Sequence, residues 1–394
     1  MGQSNAFRVP AVIHYGEHAL QKLGDAAQAF GAKALIISDQ IMQELGYVHK
    51  CKHLLHQQGI QSSIYLGVHS EPCEAFVYEA LHLFHQDHCH FIVSVGGGSC
   101  IDTAKAVSTL ATNPGSISEF IGAKRWAENK PIAHIAIPTT AGTGSEATDV
   151  TVINQSETDV KMMIKQPAFM PAVAIVDPLL TVSAPKNVTA ATGIDALSHA
   201  IEAYLSKKAH PMTDTLAIAA MNNILPAMKT VYDEPDNIEA REKMALGSLQ
   251  AGMAFSNASV CLVHGMSRPI GALFHVPHGI SNAMLLPAVL EYSQDACTER
   301  LAVIGALFSD EPAGSLLTAE YAELATLKIK ELASYVNITN LKEWGIDEHA
   351  FFEAIPKMAK DALASGSPAN NPKVPDETDI HELYSLCYDY HFAK

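Results

Sequence analysis

The chain has 394 residues, with 42 Asp and Glu against 26 Lys and Arg, a formal net charge of −16. Hydrophobic residues make up 48% and charged residues 17%, which excludes a disordered chain; the acidic balance argues against a binder of nucleic-acid phosphates, which needs clustered cations. No apolar run approaches the roughly 18 residues of a membrane span, Met1 to Pro10 lacks the apolar core of a leader, and seven cysteines without a Cys-x-x-Cys pair point to a reducing cytoplasm rather than a disulfide framework.

Ala34–Ser38 (ALIIS), Ser63–Val68 (SIYLGV), Phe91–Val95 (FIVSV) and Ile132–Ile137 (IAHIAI) read as strands. Between them, Ile41–Gln58 and Cys73–Gln86 carry apolar residues at helical spacing. Such alternation predicts a mostly parallel sheet covered on both faces. Val173–Val176 (VAIV) adds a strand before Asp177-Pro178. After about Pro185 the texture shifts to Ala/Leu/Met-rich stretches, Ala190–Ser206, Asp214–Val231 and Ile238–Ala254, with few β-branched runs. The expected architecture is an α/β domain over residues 1–185 and an all-helical domain over residues 186–394. Ser365–Glu377 (SGSPANNPKVPDE) reads as a surface loop.

Gly96-Gly97-Gly98-Ser99 follows the FIVSV strand and opens a helix through Lys105. Glycines let the backbone approach a ligand closely, and a helix start offers free N–H groups and a positive dipole end, which together suit a pyrophosphate. This is not the G-x-G-x-x-G fingerprint with a later acid. The candidate acid is Asp39, which precedes the glycines at the end of the ALIIS strand; there it could bind both ribose hydroxyls and repel a 2′-phosphate, favouring NAD over NADP. A second loop, Pro138–Glu146 (PTTAGTGSE), packs four hydroxyls and two glycines into nine residues and can line a polar ligand. Cys100, at the first turn of the helix, has no base nearby in sequence and reads as a passive thiol. Ser99 lacks the G-x-S-x-G setting of a hydrolase nucleophile.

Asp195 and His199 are spaced i, i+4, so a helix projects both from one face, as two metal ligands or as a simple Asp–His hydrogen bond. His264 follows an apolar run, and His278 is wedged between Pro277 and Gly279. Three imidazoles and one carboxylate would make a divalent site suited to Fe or Zn rather than Mg or Ca. His82, His85, His88 and His90 read as a solvated edge.

These residues match a family. The chain resembles the iron-containing (group III) alcohol dehydrogenases over nearly its whole length, through GGGSCIDTAK at 96–105, PTTAGTGSE at 138–146, VDP at 176–178, TGIDALSHAIEAY at 192–204, AFSNA at 254–258 and HGMSRPIG…PHG at 264–279. The resemblance implies an N-terminal dinucleotide-binding domain, a C-terminal helical domain and an active cleft between them. It implies metal ligation by Asp195, His199, His264 and His278, with Fe(II) or alternatively Zn(II). It implies NAD(H) contacts from Asp39, Gly97, Gly98, Ser99, Asp102, Thr139, Thr140, Thr143, Ser145, Lys161 and Leu179. It further implies a homodimer and hydride transfer between a small alcohol or aldehyde and nicotinamide, the metal polarising the substrate oxygen.

Two departures stand out. Many relatives carry a second His four residues after the third ligand, and here that position is Arg268. Arginine stays charged and cannot shuttle a proton, so a relay would use water, the cofactor ribose or His275. Arg268 itself would either pair with a carboxylate or phosphonate on the substrate or make a structural ion pair. Ser70-Glu71-Pro72 replaces a Pro-Asn-Pro common among relatives, which puts a cofactor contact from position 71 in doubt. The rival readings are a metal- and NAD-dependent lyase of the dehydroquinate synthase kind, disfavoured by the low basic content, and a non-catalytic member of the fold.

Overall fold

The computed structural model describes residues 4–155, 160–309 and 315–392; the first three residues of the stretch read for a leader lie outside them. The chain divides into two compact units, 1–184 and 185–394.

In unit 1 the elements run β1 (Val12–Tyr15), α1 (Leu23–Ala27), β2 (Lys33–Ile37), α2 (Gln40–Glu44), α3 (Tyr47–Gln57), β3 (Gln61–Tyr65), α4 (Glu74–Gln86), β4 (Phe91–Gly96), α5 (Gly98–Leu110), β5 (His134–Pro138), β6 (Val150–Gln155), β7 (Val160–Lys165) and β8 (Val173–Val176). Six strands form one sheet in the order β1-β8-β5-β4-β2-β3, every pairing parallel. The apolar run of β2 follows from this. Leu35 and Ile37 enter a core with Phe76 and Val107 on one face, while Ala34 and Ile36 enter a second core with Val48 and Leu55 on the other. A strand buried on both faces reads as continuous hydrophobicity rather than alternation. The expected α/β class holds.

The sequence reading differs from the structure in places. The stretch Ile41–Gln58 is two helices, broken at Leu45 and Gly46. The third strand begins two residues before Ser63 and ends at Tyr65. The β6–β7 antiparallel hairpin and the edge strand β1 were not anticipated.

His134 in β5 is 2% exposed; its Nε2 meets the Ser94 hydroxyl at 2.8 Å, and its Nδ1 has no partner. Burial, with the charge of Lys105 behind it, holds the imidazole down at about 3. An unfolded chain protonates this ring near pH 6.5, the folded chain only near 3, so the unfolded state takes up more protons in between. Stability is therefore lost as pH falls from about 6.5 toward 3. We expect His134→Leu to flatten the fall in thermal midpoint between pH 6.5 and 4; an identical pH slope in the variant would contradict this role.

Unit 2 is helical: α6 (Lys186–Leu205), α7 (Pro211–Asp233), α8 (Ile238–Ala258), α9 (Leu262–Phe274), α10 (His278–Ala306), α11 (Thr318–Tyr335), α12 (Glu348–Ala364) and α13 (Glu377–Tyr388). Helix α6 is buried almost all round, as its Ala-rich sequence allows, and α7, α8 and α10 pack on it. Helices α8 and α9 meet at a 102° bend. No single helix among the described residues is long and apolar enough to cross a membrane.

The segment 365–377 is not a plain surface loop. Ser367, Asn370 and Asn371 are buried. The Asn370 amide donates to the Ser259 hydroxyl and the Val260 carbonyl, and its carbonyl accepts from Lys207 N. The polar side chains that suggested solvent instead satisfy the backbone freed at the α8–α9 bend.

Candidate active site

Four side chains from three helices converge in unit 2. Asp195 and His199 lie one turn apart on α6, His264 lies in the first turn of α9, and His278 opens α10. One ligand atom from each lies within 4.8 Å of the others. His199 Nε2 and His264 Nε2 are 2.9 Å apart, and Asp195 Oδ1 is 3.7 Å from His264 Nε2. Burial and the neighbouring His199 hold His264 well below the ordinary imidazole range, so the ring is neutral near pH 7, the form a metal requires. Burial alone would push the Asp195 carboxyl up, but His199, His278, His264 and an Asn282 hydrogen bond outweigh it and hold it below its ordinary value. Lone pairs turned toward one another in a buried space repel unless a cation lies among them. The buried His199 Nδ1 and Asn282 Oδ1 also lack hydrogen-bond partners. One carboxylate and three imidazoles therefore fit a divalent cation of the Fe or Zn type.

The backbone sets this geometry. A Cβ on Gly279 would lie 2.6 Å from the Ala191 carbonyl oxygen, so only glycine lets the start of α10 press His278 against the α6 ligands. Asn282, one turn after His278, donates to Asp195 Oδ1 at 2.7 Å and lies 3.1 Å from His264 Nε2 and 3.2 Å from His278 Nε2. Phe255 stacks on His199 with centroids 4.2 Å apart and planes at 16°. Glu202, 3% exposed, hydrogen-bonds His264 Nδ1. The sequence reading missed Glu202 and Asn282. A signal for Glu202 existed, since Asp195, His199 and Glu202 are spaced i, i+4, i+7 on one helix face.

Arg268 lies one turn after His264 on α9, and its Nη1 donates to the Ser367 hydroxyl at 3.0 Å. Burial lowers its guanidinium to about 10, against the opposing charge of Glu202, so it remains a cation near neutrality. His275 is exposed at the end of α9, with φ +54°, and is not in the ligand cluster. His82, His85, His88 and His90 are all exposed.

In unit 1 the turn after β4 and the loop after β2 lie at neighbouring strand ends, where the chain order of the sheet reverses. In open α/β sheets ligands bind at such a switch point. Gly97 precedes α5, and no side chain caps that helix start. Asp39 Oδ1 accepts from Met42 N at 2.8 Å, while Oδ2 faces the Cys100 thiol at 3.6 Å. Burial and the Asp39 charge push that thiol well up, which leaves Cys100 unreactive. The 138–146 loop lies against the glycines: Thr139 N donates to the Gly96 carbonyl, and a Cβ on Gly98 would lie 2.9 Å from Thr143 Cγ2. Thr140 borders Gly97 from the same side, and Ser99 stands in the first turn of α5.

Other residues assigned to the cofactor have protein partners. The Ser145 hydroxyl donates to Asp102 and accepts from Lys105 Nζ at 2.8 Å. Asp102 also accepts from Val152 N, and Lys105 further donates to Thr148 and to the Val150 carbonyl. Burial lowers Lys105 to about 8 against the pull of Asp102, Glu146 and Asp149. This network pins the loop and β6 to α5. Lys161 Nζ pairs with Glu71 Oε1 at 2.7 Å, and Asn154 donates to the other Glu71 oxygen. The Leu179 N–H donates to Asp177 within its own turn.

Family models match both units: iron-containing alcohol dehydrogenase over residues 10–178, and the C-terminal part of the Fe-containing alcohol dehydrogenase family over residues 189–388. The chain is 38% identical over 386 residues to 1,3-propanediol dehydrogenase of Klebsiella pneumoniae, covering 97% of this chain and 98% of that one. It is 37% identical over 379 residues to the NAD-dependent methanol dehydrogenase of Bacillus methanolicus, covering 96% and 98%. Among solved structures, sulfoacetaldehyde reductase from Bifidobacterium kashiwanohense in complex with NAD+ superposes with a TM-score of 0.87 at 27% identity, covering 99% of this chain and 100% of that one.

Proposed function

The chain belongs to the iron-containing alcohol dehydrogenase family, an oxidoreductase family, and on that premise we propose that it interconverts a small alcohol and its aldehyde with NAD(H), with preference for aldehydes bearing an acidic group. The observation that carries the reading is the convergence of Asp195, His199, His264 and His278 within 4.8 Å. Fe(II) is the proposed ion, with Zn(II) accepted by the same donors. Such an ion supplies polarisation of the substrate oxygen, and nicotinamide supplies or accepts the hydride. The protein's own share is positioning. The start of α5 and the 138–146 loop would seat the pyrophosphate. Asp39, held by the Met42 N–H, would take the ribose hydroxyls and disfavour a 2′-phosphate. Phe255 covers one face of His199, shielding that ligand from water.

Net NADH formation at 340 nm with NAD and a panel of alcohols, using metal-loaded enzyme, tests the activity. No turnover on any alcohol or aldehyde would favour the lyase or non-catalytic reading instead.

Arg268 supports the finer substrate class, because a partly buried cation one turn from a metal ligand suits an anionic substrate end. The similarity to a sulfoacetaldehyde reductase is compatible with it. We expect Arg268→Gln to lower kcat/KM for a carboxylate- or sulfonate-bearing aldehyde by about 10- to 100-fold, mainly through KM, while neutral aldehydes of equal length change little. Equal losses on both would overturn the anion-pairing role.

A further inference from the structure

We propose that Glu202 is a positioning residue for the metal centre: it holds the His264 ring so that Nδ1 carries the proton and Nε2 presents its lone pair to the ion. The proposal rests on the reading of the four side chains as metal ligands. Glu202 is 3% exposed, and both its oxygens are engaged by the first turn of α9. One accepts from Val263 N at 2.8 Å; the other hydrogen-bonds His264 Nδ1. Asn282 Nδ2, which only donates, lies 3.1 Å from His264 Nε2, so Nε2 accepts there and the proton of the neutral ring is on Nδ1, where the Glu202 oxygen takes it. The opposite nitrogen, Nε2, is the one turned toward His199 Nε2 and Asp195. In a neutral ring that nitrogen is bare and able to ligate.

The placement of Glu202 gives the arrangement its rigidity. It lies on α6, three residues beyond His199 and seven beyond Asp195. A single helix thus provides two ligands and the clamp on a third, and the same carboxylate fixes where α9 begins relative to α6. Carboxylates behind a ligating imidazole raise its basicity and fix its orientation, and their loss typically weakens metal binding by about 10- to 100-fold. A glutamine is the informative replacement. Its amide could donate to Nδ1 and so permit the tautomer with Nε2–H, which cannot ligate.

The test is a competition titration of chelator-stripped enzyme with Zn(II) against a chromophoric chelator, comparing wild type, Glu202→Gln and Glu202→Asp. We expect Glu202→Gln to bind about 10- to 100-fold more weakly and Glu202→Asp to retain more affinity. In Zn-loaded wild type, long-range proton–nitrogen NMR, assigned by the Nδ1 signal that shifts in Glu202→Asp, should show the His264 Nδ1 protonated and Nε2 bound to the metal. Equal affinity of wild type and Glu202→Gln overturns the proposal while leaving the ligand set standing, and so does an NMR signature with Nδ1 on the metal. If Glu202→Gln does not fold, the wild-type NMR result decides. Failure of wild type to take up Zn(II) would bring down the ligand set and this proposal together.

Discussion

Replacing His264 with alanine is expected to abolish metal retention and to lower kcat/KM by roughly 10²- to 10⁴-fold, the several kcal/mol that Lewis-acid polarisation supplies. The loss is compound. His264 Nε2 is one of four converging ligand atoms, and its Nδ1 is the partner of a Glu202 carboxylate that is 3% exposed. Its removal strands that buried acid, which burial already pushes up to about 7 against the pull of His199 and nearby backbone N–H groups. The residues proposed to cradle the nucleotide, Asp39, the 96–99 turn and the 138–146 loop, all lie within unit 1. NAD binding, followed by calorimetry, should therefore stay within a few-fold of wild type. Activity within a few-fold of wild type in metal-depleted His264→Ala would contradict the role given to the cluster.

The second large effect concerns stability. A Cβ on Gly305 would sit 1.8 Å from the Tyr321 carbonyl oxygen and 2.7 Å from its carbon, so α10 and α11 touch backbone to backbone there. Alanine is favoured over glycine by at most about 1 kcal/mol in the last turn of a helix, where Gly305 stands, which alone would make Gly305→Ala stabilising. The opposing term is larger. The obstructing atoms are main chain and cannot swing aside, so the helices must separate and the packing on both sides of the crossing opens, at about 3 kcal/mol or more. Net destabilisation of about 2 kcal/mol corresponds to a fall of roughly 4–8 °C in the melting of a helical unit of this size. A thermal midpoint equal to or above wild type would show that the crossing is looser than described.

How much of this was legible in the sequence depends on the kind of signal. Strands β2, β4 and β8 stand out because both faces are buried and, Lys33 and Ser94 apart, their residues are apolar or glycine. The β6–β7 hairpin does not, because its burial alternates and polar residues interrupt it. Asp39 and the 96–99 turn were readable because strand, turn and helix come in an order that only a few topologies allow. Within unit 2, the i, i+4 spacing exposed Asp195 and His199, whereas the distance between His264 and His278 gave no geometry of its own; motif order and family resemblance supplied them. Glu202 escaped notice because an acid on a helix ordinarily faces water. Asp102 and Ser145 carried motif positions, yet their hydrogen bonds run to Lys105 and Val152. Local composition likewise misdirected the reading of residues 365–377, since asparagine and serine satisfy a buried corner as readily as they face solvent.

Anomalous diffraction at the iron edge from crystals of enzyme reconstituted anaerobically with Fe(II) bears most directly on the central claim. One strong peak per chain is predicted, within bonding distance of an Asp195 oxygen and the Nε2 atoms of His199, His264 and His278. A fully loaded, active enzyme whose peak lies elsewhere, or whose four side chains stand apart around an empty space, would contradict it.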